Sequence, residues 1–156
     1  YQRRVRGMTS KPIQTVSLAL ISRYETFIYS CAYNNQGQFE QIDENMFLYL
    51  YSLIDEISIR QQKMKQDENY DYLISRLAVK NNQTISAFFT FSGTIILVVT
   101  PNEVSDDNLK QFFLQIQKIY CTELMNPFYR AGAPLSSEAM SFDVSQAIPL
   151  LNCFSK

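Results

Sequence analysis

The sequence predicts an α+β domain, a five-stranded antiparallel sheet with helices packed on it in the order β-β-α-β-β-β-α-α. Three observations carry this. Short runs rich in β-branched and aromatic residues are separated by brief polar turns, while two longer stretches carry apolar side chains at helical spacing. The 156 residues, 46% of them apolar, fit one core, and no repeat, low-complexity tract or second-domain linker interrupts them.

Residues 1–14 are expected to form a flexible N-terminal segment, with residues 15–156 the domain. Met8 is expected to be the natural first residue, so residues 1–7 read as an addition ahead of it. The alternative is a basic arm for phospholipid head groups, built from Arg3, Arg4, Arg6 and Lys11.

Val16, Leu18 and Leu20 alternate with Ser17 and Ala19, which is the period of a strand over residues 15–22. Phe27, Ile28, Tyr29, Cys31 and Tyr33 form the second strand, joined to the first by a hairpin at residues 23–25, and residues 34–38 form a loop. Asp43 then opens a helix running to about residue 65. Met46, Leu50, Leu53, Ile54 and Ile57 mark its buried face.

A third strand is expected around residues 72–80, ending in a turn at residues 81–83. The central strands cover 84–91 and 94–100, with Ser92-Gly93 as a two-residue hairpin turn. Apolar residues fall on both parities there, Phe88 with Phe89 and Ile95 with Ile96, so both sheet faces should be covered. Ser105 caps a second helix whose stripe is Leu109, Phe112, Phe113, Ile116, Ile119, Tyr120 and Leu124. Asn126-Pro127 stops that helix, because a residue before proline leaves the helical region. A corner at Gly132 and Pro134 follows. Ser136 then caps a last helix from about 137 toward 148, limited by Pro149.

Composition narrows the function. Fourteen basic and fifteen acidic residues give a net charge of −1, so no overall field draws in nucleic acid or an anionic membrane. The 10 tyrosines and 11 phenylalanines do not alter this, because the central strands 84–100 lack the interleaved cations of an RNA-binding sheet. No apolar run approaches the ~20 residues of a membrane-spanning helix, and no signal-peptide pattern appears.

Histidine is absent, which removes Ser-His and Cys-His pairs, the commonest general base and histidine metal sites. Four glycines form no phosphate-cradling loop, and no calcium-loop motif occurs. No catalytic residue, cofactor or metal is therefore expected. Cys31, Cys121 and Cys153 show no C-x-x-C spacing and read as buried thiols of a reducing compartment, Cys121 being taken as a small core residue rather than a lipid acceptor.

The first helix carries a second set of residues, Leu48, Tyr51, Asp55 and Ile59, spaced to lie opposite its core face. A helix covering a sheet needs only a polar back, so three apolar side chains around a carboxylate are the composition of a partner surface. The alternative is coverage by the chain's own segment 150–154. At Asn126-Pro127-Phe128-Tyr129 a structural corner is expected, with proline stopping the helix and Phe128 and Tyr129 anchored in the core.

The element order is similar to that of longin and profilin-like domains, and local words resemble the sedlin family of small TRAPP subunits. Asn126-Pro127-Phe128-Tyr129 is similar to that family's N-P-F-Y corner, and the segment from Pro134 to Ala139 is similar to its P-I-x-S-x-A opening of the last helix. Leu53-Ile54-Asp55-Glu56 resembles L-x-x-V-D-E, and Gln111-Phe112-Phe113 through Tyr120 resembles its x-F-F…x-Y helix. Sedlin-like and subunit-two-like members fit together over roughly residues 16–148. The family's acidic residue three positions before V-D-E falls on Ser52, adding that position to the partner surface, and its A-F-D word becomes Ala139-Met140-Ser141.

The resemblance implies a non-catalytic assembly or adaptor subunit of a TRAPP-type tethering complex in transport between the endoplasmic reticulum and the Golgi. Its partners would be other TRAPP-type subunits, with an indirect link to a Rab-type GTPase whose nucleotide exchange the whole complex promotes. It would be cytoplasmic and reach Golgi and endoplasmic reticulum membranes only through that complex. A longin domain of an adaptor coat or of a SNARE-type regulator is the alternative.

Overall fold

Two strands that are buried on both faces sit side by side at the middle of the molecule. In the computed structural model, which describes residues 14–66, 72–90, 92–130, 133–135 and 138–154, these are β1 (Thr15–Ile21) and β6 (Ile95–Thr100), paired antiparallel from Ser17↔Val99 to Ile21↔Ile95. Around them lie β2 (Phe27–Asn34), β3 (Phe39–Glu40), β4 (Leu73–Lys80) and β5 (Gln83–Phe89), in the spatial order β3-β2-β1-β6-β5-β4.

The sheet thus has six strands rather than the five expected. The additional one, β3, is two exposed residues opposite Ala32 and Tyr33. A pair that short shows no alternation, so its sequence carried no strand signal.

The both-parity pattern of the central strands has the expected result. Leu18, Leu20, Ile96 and Val98 face one core, and Ala19, Ile21, Leu97 and Val99 face another. The first core is closed by α3 (Asp106–Leu124), α4 (Glu138–Ala147) and a 3₁₀ turn at Ile148–Leu151. The second is closed by α1 (Glu44–Ser52) and α2 (Ile54–Lys65). Burying each large side chain contributes ~1.5–3 kcal/mol, and Phe112 and Phe113 of α3 are both fully enclosed.

The single helix expected over residues 43–65 is two helices. Asp43 caps the first, its carboxylate accepting the Met46 N–H at 3.2 Å. At Leu53 the ladder shortens: the Leu53 N–H reaches Leu50 O at 3.1 Å, and a new ladder opens with the Ile57 N–H on Leu53 O at 2.9 Å. No proline or glycine marks the break, and the apolar stripe runs through it, with Leu50, Leu53, Ile54 and Ile57 all buried.

Ser105 caps α3 as expected, accepting the Asn108 N–H at 3.2 Å. Pro149 ends the last α-helix and sits in the 3₁₀ turn that follows it. The residue 81–83 turn is a tight hairpin, with Asn81 and Asn82 at φ 53° and 63° and Lys80 paired to Gln83.

The β5–β6 connection departs from the two-residue turn expected: the Thr90 N–H bonds Thr94 O at 3.0 Å and the Gly93 N–H bonds Thr90 O at 3.1 Å. Gly93 takes φ 91° there, and a Cβ would stand 2.9 Å from that of Arg23. The expectations for the N-terminal segment, for Gly132 and for a cap at Ser136 lie outside the described residues.

Candidate partner-binding surface

The two faces of the α1–α2 pair differ sharply. Met46, Leu50, Leu53, Ile54 and Ile57 are buried on the sheet, whereas Leu48 is 59% exposed, Tyr51 57% and Ile59 57%, with Ser52 and Asp55 also exposed. The structure therefore brings together on one open side all five positions singled out on this helix. Segment 150–154 does not cover them: Leu151 and Cys153 are buried, and Phe154 packs, in the core beneath α3 and α4, on the opposite face of the sheet.

Two aromatic side chains that the sequence pattern did not single out extend this side. The half-buried Phe27, at the start of β2, lies 4.5 Å from the Phe47 ring and 6.0 Å from the Tyr51 ring, both centroid to centroid. Phe47 and Tyr51 are one helical turn apart, which was the available signal. The result is an apolar shelf joining strand and helix.

Its charges are sparse. Glu56 and Arg60 make an exposed pair at 3.5 Å, worth little in water, while Asp55 has no cation within ion-pair distance among the described residues. The Ser52 hydroxyl donates to Tyr49 O at 2.6 Å and is committed to its own helix.

The corner after α3 departs from expectation. Phe128 is 90% exposed, so it does not anchor the corner in the core. The cause is local: Asn126 Oδ1 accepts the Phe128 N–H at 3.0 Å and Asn126 O accepts the Tyr129 N–H at 3.0 Å, a turn that directs the phenyl ring outward. Tyr129 does pack against the core, and its hydroxyl donates to Ala133 O at 2.8 Å. The helix itself ends at Leu124, ahead of Asn126-Pro127, and leaves Met125 81% exposed.

Of the three free cysteines, Cys31 and Cys153 are buried as expected, and Cys121 is exposed, contrary to its reading as a core residue. It follows Leu114 by seven positions, and Leu114 faces outward too. Burial pushes both the Cys31 and the Cys153 thiol up to about 11. Among the described residues there is no group of histidine, cysteine or acidic side chains able to hold a metal ion, and no helix is long and apolar enough to cross a membrane.

Fold and surface together define a layered α+β domain in which one helix pair exposes apolar side chains on its back. The chain belongs to the Sedlin family, whose sequence profile matches residues 20–149. It is 27% identical over 105 residues to the "Transport protein particle 20 kDa subunit" of Schizosaccharomyces pombe, covering 67% of this chain and 76% of that one.

Shorter matches reach two further proteins. One is the "Trafficking protein particle complex subunit 20" of Saccharomyces cerevisiae, at 30% identity over 35% of each chain. The other is the "Trafficking protein particle complex subunit 2-like protein" of Dictyostelium discoideum, at 30% over 36% of this chain and 41% of that one.

Proposed function

We infer that the chain is a non-catalytic assembly subunit of a TRAPP-type vesicle-tethering complex, with a longin-type fold, seating a neighbouring subunit on the back of α1–α2. One observation carries the reading. Leu48, Tyr51 and Ile59 are each more than half exposed on a helix pair whose other side is already used by the core. The names of its relatives support the kind of complex. The link to a Rab-type GTPase and the peripheral placement at Golgi and endoplasmic reticulum membranes then run through the assembly.

The test pairs capture with stability. Leu48→Glu places a charge where a partner would desolvate it, at a cost of several kcal/mol if it is buried unpaired. Expected is loss of neighbouring TRAPP-type subunits from pull-downs, with thermal melting of the isolated chain unchanged. Full capture by a variant that melts normally would move the surface elsewhere.

A further inference from the structure

At the end of the sheet where β1 meets β6, two loops press together. The Ile21↔Ile95 pair brings the β1–β2 loop, residues 22–26, beside the described part of the β5–β6 connection, Ser92 to Thr94, and Gly93 approaches Arg23 so closely that a Cβ would not fit. Between these loops and the last turns of α3 lies a cavity of about 160 Å³, lined by Ser22, Arg23, Tyr24, Ser92, Thr94 and Tyr120, with Leu124 at its side.

Its chemistry is one-sided. Among the described residues the lining carries hydroxyls, one guanidinium and no carboxylate. Arg23 Nη2 donates to the Tyr24 hydroxyl at 2.7 Å, which leaves the Tyr24 proton and the other guanidinium N–H groups with no acceptor among the described residues.

The inner wall holds a second surplus proton. The Thr90 hydroxyl donates to Thr94 O at 2.8 Å, and the Ser92 hydroxyl can donate to Thr90 Oγ1 at 3.0 Å or to Thr94 Oγ1 at 3.4 Å. Thr94 and Tyr120 share a single hydrogen bond of 2.9 Å, so one of their two protons is left over, on side chains only 3% and 6% exposed. A buried donor without an acceptor costs free energy, and an acceptor entering the cavity would relieve it.

A ligand matching this wall is rich in acceptors, anionic, and approached from several directions at once by two loops and a helix. A tetrahedral oxyanion fits better than a planar carboxylate. The cavity lies at the C-terminal end of α3, whose dipole disfavours an anion, so the attraction rests on Arg23; two of the carbonyls there, Thr122 O and Glu123 O, are engaged by the Met125 and Asn126 N–H groups at 3.2 Å each. Two other cavities differ: that beside Phe128 sets Glu123 against Arg130, and that beside Phe154 offers asparagine side chains and, among the described residues, no cation.

We propose that the cavity between the 22–26 loop and Ser92 to Thr94 is a phosphate-binding site, taking either free phosphate or the phosphomonoester head group of a lipid. This goes beyond the assembly role and shares no residue with it: Leu48, Tyr51 and Ile59 are not in its lining.

The test is a heteronuclear NMR titration of the full chain with inorganic phosphate and, separately, acetate at constant ionic strength. Co-sedimentation with phosphatidylcholine vesicles, with and without phosphatidic acid, runs beside it. Expected are saturable shifts confined to residues 22–26, 90–94 and Tyr120, weakened about tenfold or more in Arg23→Gln, where a charged hydrogen bond is lost, and weakened also in Tyr24→Phe.

Vesicle binding that requires phosphatidic acid and Arg23 assigns the lipid source. A response to free phosphate without vesicle binding assigns the soluble one. The proposal is overturned if neither probe is bound, if both variants respond like the parent, or if acetate competes as well as phosphate.

Discussion

Leu48 and Leu50 stand two residues apart on α1, yet Leu50 is fully enclosed by the sheet and Leu48 is 59% exposed. A 200° turn of the helix separates a core residue from an open one. Leu50→Ala should therefore cost about 2–5 kcal/mol in chemical denaturation, the range for deleting a buried leucine side chain. Leu48→Ala should stay within about 0.5 kcal/mol. Equal losses would mean that α1 is covered on both sides.

At the corner, the same contrast separates Phe128 from Tyr129. Replacing Phe128 with serine should leave the denaturation midpoint unchanged, because its ring has little contact to lose. Tyr129→Phe removes the hydrogen bond to Ala133 O and should cost about 0.5–1.5 kcal/mol.

Much of this was legible in the sequence, and the exceptions share a cause. The strands, the cap residues Asp43 and Ser105, the stripe of α1 and that of α3 as far as Tyr120 follow from spacing that burial imposes over many residues; Leu124, expected to continue the α3 stripe, is 37% exposed in the helix's last turn. At Phe128 size and apolarity predict burial, whereas an asparagine two residues earlier fixes where the backbone aims the ring. The break at Leu53 is invisible because burial does not change across it. Cys121 was readable from its alignment with Leu114, but a single thiol carries too weak a preference to decide without the helix in place. The aromatic shelf at Phe27 depends on a strand and a helix meeting, which no local pattern reports.

The cysteines give a chemical prediction. At pH 8 the folded chain should react with iodoacetamide at the exposed Cys121, while Cys31 and Cys153 should react only on unfolding. Mass spectrometry of peptides counts the adducts, and early labelling of either buried thiol would contradict the packing described.

The same two thiols fix the sign of an alkaline effect. Their folded values of about 11 lie above the ~8.5 of a free thiol, so the unfolded chain releases these protons first. Their contribution to stability is complete below about pH 8.5 and is lost as pH rises through about 11. Melting temperature should fall across that window, and less steeply in a Cys31→Ala, Cys153→Ala double variant.

Gly93→Ala should cost about 1–3 kcal/mol, since φ 91° is strained for any side chain and the new methyl meets Arg23. Gly37, at φ 81° with its nearest neighbour 3.6 Å away, faces the torsional strain without the close contact. Comparing the two melts separates the terms.

Because β1 and β6 are apolar on both sides, hydrophobicity does not penalise a strand that slides by one residue: each side chain would move from one oily layer into the other. Alignment must then be enforced at the strand ends. Three features there can act as stops. Gly93 and Arg23 lock one end, and a bulge between Leu20 and Ile21 adds a notch that fits one pairing. At the other, the buried Asn34 side chain accepts the Gln36 and Gln38 N–H groups and donates to Glu40. The middle of this sheet supplies adhesion without direction, and a few residues at its margins supply the direction.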